Sequence, residues 1–109
     1  MKSLKDYTKV VVKIFTKYTK TGTVKWTYKI ALLDLQYQLG SLTKRIMQLD
    51  NQRHKEWQTE KEIKEKVADE LADIFTETLF IAHELKIDLD KAFTKMLESD
   101  NKKISERKK

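Results

Sequence analysis

A chain of 109 residues with no proline and only two glycines, Gly22 and Gly40, lacks nearly all the residues that make tight turns. An all-β fold needs many such turns, so that class is excluded. What remains is a set of long helices joined by few connections. The length suits one domain, residues 1–109, with no room for a second core. Charged residues are 37% of the chain against 39% hydrophobic, which leaves a thin core for a monomer and favours added burial by self-association. With no cysteine there is neither a disulfide framework nor a thiolate metal site.

The pattern divides into four helices. The first is expected from about Leu4 to Tyr18 with Ser3 as N-cap, its apolar residues Val10, Val11, Ile14, Phe15 and Tyr18 recurring at helical spacing. The run Thr19–Thr23 reads as a turn. A second helix is expected from near Val24 to about Leu49, with Leu32, Leu35, Leu39, Leu42, Ile46 and Leu49 alternating in steps of three and four as a core seam. Residues 50–58 are polar and aperiodic and read as a loop, in which Trp57 either stacks on a base or anchors the loop to the bundle. Thr59 with Glu62 forms a capping box for a third helix ending near Lys86. Ile87 and Asp88 open a fourth, whose expected buried face is Leu89, Ala92, Phe93, Met96 and Leu97, and residues from 104 are expected to fray. The expected fold class is therefore all-α, an antiparallel four-helix bundle.

Charge is unevenly placed. Residues 1–25 hold seven Lys against one Asp, while residues 59–90 hold ten acids against four Lys. Basic ends around an acidic middle suit self-association or a bound cation at least as well as a nucleic-acid face, and nucleic acid is kept as the minor reading. The lysines at 2, 5, 9, 13 and 17 line the expected solvated side of the first helix. No apolar run is long enough to span a membrane and the N-terminus lacks a signal-peptide core, so the expected compartment is cytoplasmic.

On the third helix Glu70, Asp73, Glu77 and Glu84 share one face, beside the apolar stripe. Carboxylates this close repel unless a cation sits among them, and Mg2+ binds such oxygens while keeping several waters. The alternative is an ordinary solvated acidic face.

Here the chain resembles a family. Glu70-Leu71-Ala72-Asp73-Ile74, then Leu79-Phe80-Ile81-Ala82 and Leu85-Lys86-Ile87-Asp88-Leu89-Asp90-Lys91-Ala92, are similar to the second half of a MazG-like nucleoside triphosphate pyrophosphohydrolase, of the all-α NTP pyrophosphatase superfamily. The resemblance covers residues 24–104 and is strongest over 67–103. It implies an ExxE motif and an ExxD motif that together hold Mg2+, with Mn2+ as a substitute, against a triphosphate. Glu70 and Asp73 match ExxD as catalytic and metal-binding residues. The ExxE positions hold Gln38 and Ser41, neither of them anionic. Gln38 remains a candidate ligand, with Asp34 and Glu77 as carboxylates near enough by helical spacing to replace the missing charge, and Ser41 a candidate substrate contact. Asn101, Lys102 and Lys103, with Lys95, are the implied phosphate contacts. The same resemblance implies a homodimer or homotetramer.

Three functions follow as expectations. The first is Mg2+-dependent conversion of an NTP or dNTP to the monophosphate and pyrophosphate. The second is a catalytically impaired nucleotide-binding or protein-interaction module of this fold. The third is a basic, nucleic-acid-associated helical bundle.

Overall fold

The computed structural model describes residues 3–22 and 24–107. Among them are four helices and no strand: α1 Leu4–Thr21, α2 Tyr28–Leu49, α3 Glu60–Glu84 and α4 Leu89–Arg107. No helix is long and apolar enough to cross a membrane among the described residues.

Local chemistry sets the helix starts. Ser3 and Asp6 form a reciprocal capping box on α1, and Thr59 and Glu62 form the same box on α3, each satisfying two backbone N–H groups the first turn leaves orphaned. Thr27 caps α2 by accepting from Ile30 N–H at 3.2 Å, so the helix starts four residues later than Val24. Asp88 caps α4 by accepting from Lys91 N–H at 3.1 Å. Two expected ends move outward. α1 continues through Thr21, so most of the expected turn is helical (Thr23 lies outside the described residues), and α4 stays helical from 104 to Arg107 (Lys108 and Lys109 also lie outside).

α3 closes with Lys86 N–H bonded to His83 C=O at 3.0 Å and Ile87 N–H to Ala82 C=O at 2.8 Å, the two bonds of a Schellman motif. Lys86 takes the left-handed conformation there, with φ 57°, at a position where glycine is the unstrained residue. Lys86→Gly is therefore expected to raise stability by about 1 kcal/mol, read as a higher urea midpoint at unchanged m.

The core lies where α1 crosses α2 and α3. Phe15 stands 4.4 Å from Phe80 and 4.9 Å from Trp26, ring centre to ring centre, and Val11, Ala31 and Leu79 are buried around it. α3 is the central element, packed along α2 and against α1, while the principal packing of α4 is on α1. The helices therefore do not close into a four-membered bundle within one chain. The molecule measures 47 × 47 × 28 Å with a radius of gyration of 17.4 Å, where a compact domain of this length has about 13 Å.

This openness overturns two expected burials. No residue of α4 is buried; Phe93, Met96 and Leu97 are each about half exposed. On α2, Leu32, Leu39 and Ile46 are exposed, and only Ala31 and Gln48 are fully buried. On α3, Leu71, Phe75 and Leu85 face outward. The expected seam exists as a helical stripe, but the α3-facing side of α2 lies beside it. Trp57 does not anchor its loop. It is 93% exposed, with the His54 ring nearly perpendicular to its own, ring centres 5.4 Å apart.

Candidate functional site

The side of α2 that meets α3 carries Asp34, Gln38, Ser41, Arg45 and Gln48, at steps of four, three, four and three. These five side chains are buried or half-buried. Across from them α3 presents Glu70, Asp73 and Glu77. Ser41 bonds Glu70 and Asp34 bonds Glu77, so the register is antiparallel. The same register sets Gln48 level with Ile63 and Ala31 level with Phe80. A polar seam thus runs between two apolar ends, Ile63 and Phe80 both being buried.

The seam has two halves with different electrostatics. In the first, the Ser41 hydroxyl donates to Glu70 Oε1, and Arg45 Nε lies 3.8 Å from the same oxygen. Arg45 is fixed further by Nη1 donating to Gln48 Oε1 at 3.4 Å. Gln48 Nε2 in turn donates to the His54 carbonyl at 3.1 Å, tying the loop to the seam. Glu70 and Arg45 side chains are only 12% and 16% exposed, so this is an ion pair taken largely out of water. It is loosely made, because Arg45 Nε and Glu70 Oε2 are buried without a hydrogen-bond partner.

In the second half no salt bridge reaches the acids among the described residues. Glu77 is 4% exposed and its Oε2 has no partner. Burial, then the hydrogen bond to Asp34, then the charges of Asp34 and Asp73 push its carboxyl up to about 8. Two ionised carboxylates cannot bond one another, so the Asp34–Glu77 contact is a hydrogen bond only while one proton is held between them. Asp73 sits at the exposed edge of the seam. Partial burial, followed by the charges of Asp69, Asp34 and Glu70, raises its carboxyl as well.

Of the residues expected in a metal site, the fold brings Asp34, Asp73 and Glu77 together and sets Glu70 beside Arg45 instead. Gln38 lies between the two halves, half-buried. Two carboxylate oxygens of α3, Glu70 Oε2 and Glu77 Oε2, are buried and unpartnered, and such oxygens suit a hard cation. The side chains as they stand do not converge, and no group of three acids or histidines among the described residues is close enough to hold an ion. Glu84 is exposed, away from this cluster.

The expected phosphate contacts are not brought to the seam within one chain. Lys95, Asn101, Lys102 and Lys103 are all exposed on α4. Lys95 lines a shallow depression with Asp88, Asp90 and Glu98, a mixed-charge surface and not a cationic one. The residue that sequence reasoning missed is Arg45. Its signal was its place in the polar steps from Asp34 to Gln48, a second periodic stripe beside the leucines.

Compared with known proteins, the chain matches no family model, no curated protein and no solved structure.

Proposed function

We propose that the α2–α3 seam is the site of a nucleoside triphosphate pyrophosphohydrolase whose acidic ligand set is Asp34, Asp73 and Glu77. The observation that carries this reading is Glu77, a carboxyl 4% exposed with an unpartnered oxygen among two other acids. Burying such a group costs stability unless a proton or a cation occupies the cluster. Mg2+ or Mn2+ held by these acids would neutralise the triphosphate and orient a water for attack between the α and β phosphates. Of the protein's own groups, Glu70 Oε2 is the acceptor available for the proton of that water. Its Oε1 is occupied by Ser41.

A panel of NTPs and dNTPs with Mg2+ or Mn2+ tests this. Pyrophosphate and a nucleoside monophosphate are expected, with release lost by at least about 100-fold in Asp73→Asn and in Glu70→Gln. No release from any substrate at high protein concentration would leave the second reading, a nucleotide-binding module without hydrolysis. The observation favouring that second reading is the Arg45–Glu70 pair, which neutralises one of the two ExxD acids.

The same reading includes self-association. The exposed Phe93, Met96 and Leu97 of α4 and the exposed Leu32, Leu33 and Leu39 of α2 are large apolar side chains on faces with no cover in one chain. A second copy of this chain is the proposed cover, as a homodimer or homotetramer. Light scattering at micromolar concentration is expected to give at least twice the 13.0 kDa chain mass, and a monomer there would contradict the assembly.

A further inference from the structure

Next to the acid-facing side of α2, and sharing Ser41 and Arg45 with it, a cleft of about 480 Å³ opens toward the α2–α3 loop. Tyr37, Gly40, Ser41, Lys44, Arg45 and Arg53 line it, and no lining residue is acidic. Gly40 leaves its floor open, since a Cβ built there would meet nothing within 4 Å. Tyr37 presents a ring that is 70% exposed. Arg45 is paired with Glu70, and the remaining like charges, Lys44 and Arg53, repel each other and favour an anion beside them.

One anion already stands beside the cleft, without lining it. Glu56, from the loop, bonds Lys44 at 2.8 Å. That hydrogen bond and the charge of Lys44, then the charges of Arg45 and Arg53, hold its carboxyl below the usual range. Glu56 reaches this position through a loop in which both Glu56 and Trp57 take left-handed conformations, φ 53° and 66°, which non-glycine residues adopt at a cost. The side chain is half exposed, so it can leave for water when a stronger anion arrives.

We propose that this cleft binds the phosphoryl groups of a polyphosphate or nucleotide directly, without a metal ion, by displacing Glu56 from Lys44. A phosphoryl group carries more charge and more acceptor oxygens than a carboxylate and suits guanidinium and ammonium donors from several directions. The binding stands apart from hydrolysis at the acidic seam, because it requires neither metal nor turnover. Ser41 connects the two, lining the cleft while bonding Glu70.

The test is isothermal titration of the full chain with inorganic triphosphate in EDTA at low salt. Wild type is expected to bind. Glu56→Gln is expected to bind about threefold more tightly, because the internal competitor is gone. Arg53→Gln is expected to weaken binding about fivefold, and Lys44→Gln combined with Arg53→Gln to remove it. Lys17→Gln with Lys20→Gln, which removes the same charge from α1, is expected to change affinity by less than about twofold. Far-UV circular dichroism checks that each variant keeps its helicity. No binding by wild type in EDTA overturns the proposal. So does equal weakening by the α1 pair, or a Glu56→Gln variant that binds no more tightly than wild type. A nucleoside triphosphate titrated alongside distinguishes the source of the phosphate. If its affinity falls in Tyr37→Ala, the ligand is a nucleotide stacked on that ring. Affinity equal to inorganic triphosphate and indifferent to Tyr37 identifies a polyphosphate, and either result upholds the cleft.

Discussion

Raising the pH toward about 8 is expected to destabilise this protein, and Glu77→Gln is expected to abolish most of that loss. The unfolded chain releases the Glu77 proton near 4.5, and the folded chain releases it only near 8. Between those values the folded state holds a proton that the unfolded state has lost, so stability falls as pH rises. The contribution is fully present below the unfolded value and is gone once pH passes the folded one. The slope reaches about 1.4 kcal/mol per pH unit, and several kcal/mol are lost across the window. Asp73, also raised, acts in the same direction. In urea titrations from about pH 5 to 9, the wild-type midpoint should fall steadily, while that of Glu77→Gln should stay nearly level and overtake it at the alkaline end. A wild-type midpoint independent of pH would show that Glu77 does not carry the proton. Mg2+ competes with that proton for the same oxygens, so millimolar Mg2+ should raise the midpoint more at pH 9 than at pH 6, and EDTA should reverse it. Superimposed curves with and without Mg2+ would remove the cation from the seam.

The second large effect is expected at Arg45. Arg45→Leu leaves Glu70 buried with its charge uncompensated and only Ser41 bonded to it, at a cost near the lower end of about 3–5 kcal/mol. The lower end applies because the pair is 3.8 Å apart and Arg45 Nε makes no hydrogen bond, so less is lost than from a tight pair. Glu70→Gln alone should destabilise as well, by leaving the guanidinium unbalanced. The double variant should recover most of the loss, because neither charge is then buried alone. Additive losses in this cycle would mean that Arg45 and Glu70 do not compensate each other. The measurement bears on function too. A strong coupling identifies Glu70 as the partner of an internal cation, in the position where the family resemblance implies a metal ligand.

Several elements were legible from local chemistry alone. Ser3, Thr59 and Asp88 marked three helix starts, because a hydroxyl or carboxylate that caps a first turn acts on backbone groups two or three residues away. Their effect is decided within one turn. The acidic face of α3 was equally visible, since Glu70, Asp73 and Glu77 share a side of any helix that contains them. What such local rules miss is packing. α2 carries two stripes at helical spacing, leucines at 32, 35, 39, 42, 46 and 49, and polar residues at 34, 38, 41, 45 and 48. Hydrophobicity puts the first inside, yet Leu32, Leu39 and Ile46 are exposed and Gln48 is fully buried. In the same way Phe93, Met96 and Leu97 of α4 find no cover in their own chain.

The sequence by itself therefore determined that this protein is four helices, where three of them begin, and that acids line α3. Caps, turn residues and periodicity are properties of short stretches, and short stretches are enough to settle them. Only the tertiary structure decided which side of α2 meets those acids. That choice places Arg45 against Glu70, raises the Glu77 carboxyl, and gathers Lys44 and Arg53 in a cleft that Ser41 and Arg45 also line. Charges interact over a few ångströms of space, and residues 34 to 53 come within that range of 56 to 77 only when α2 and α3 lie antiparallel.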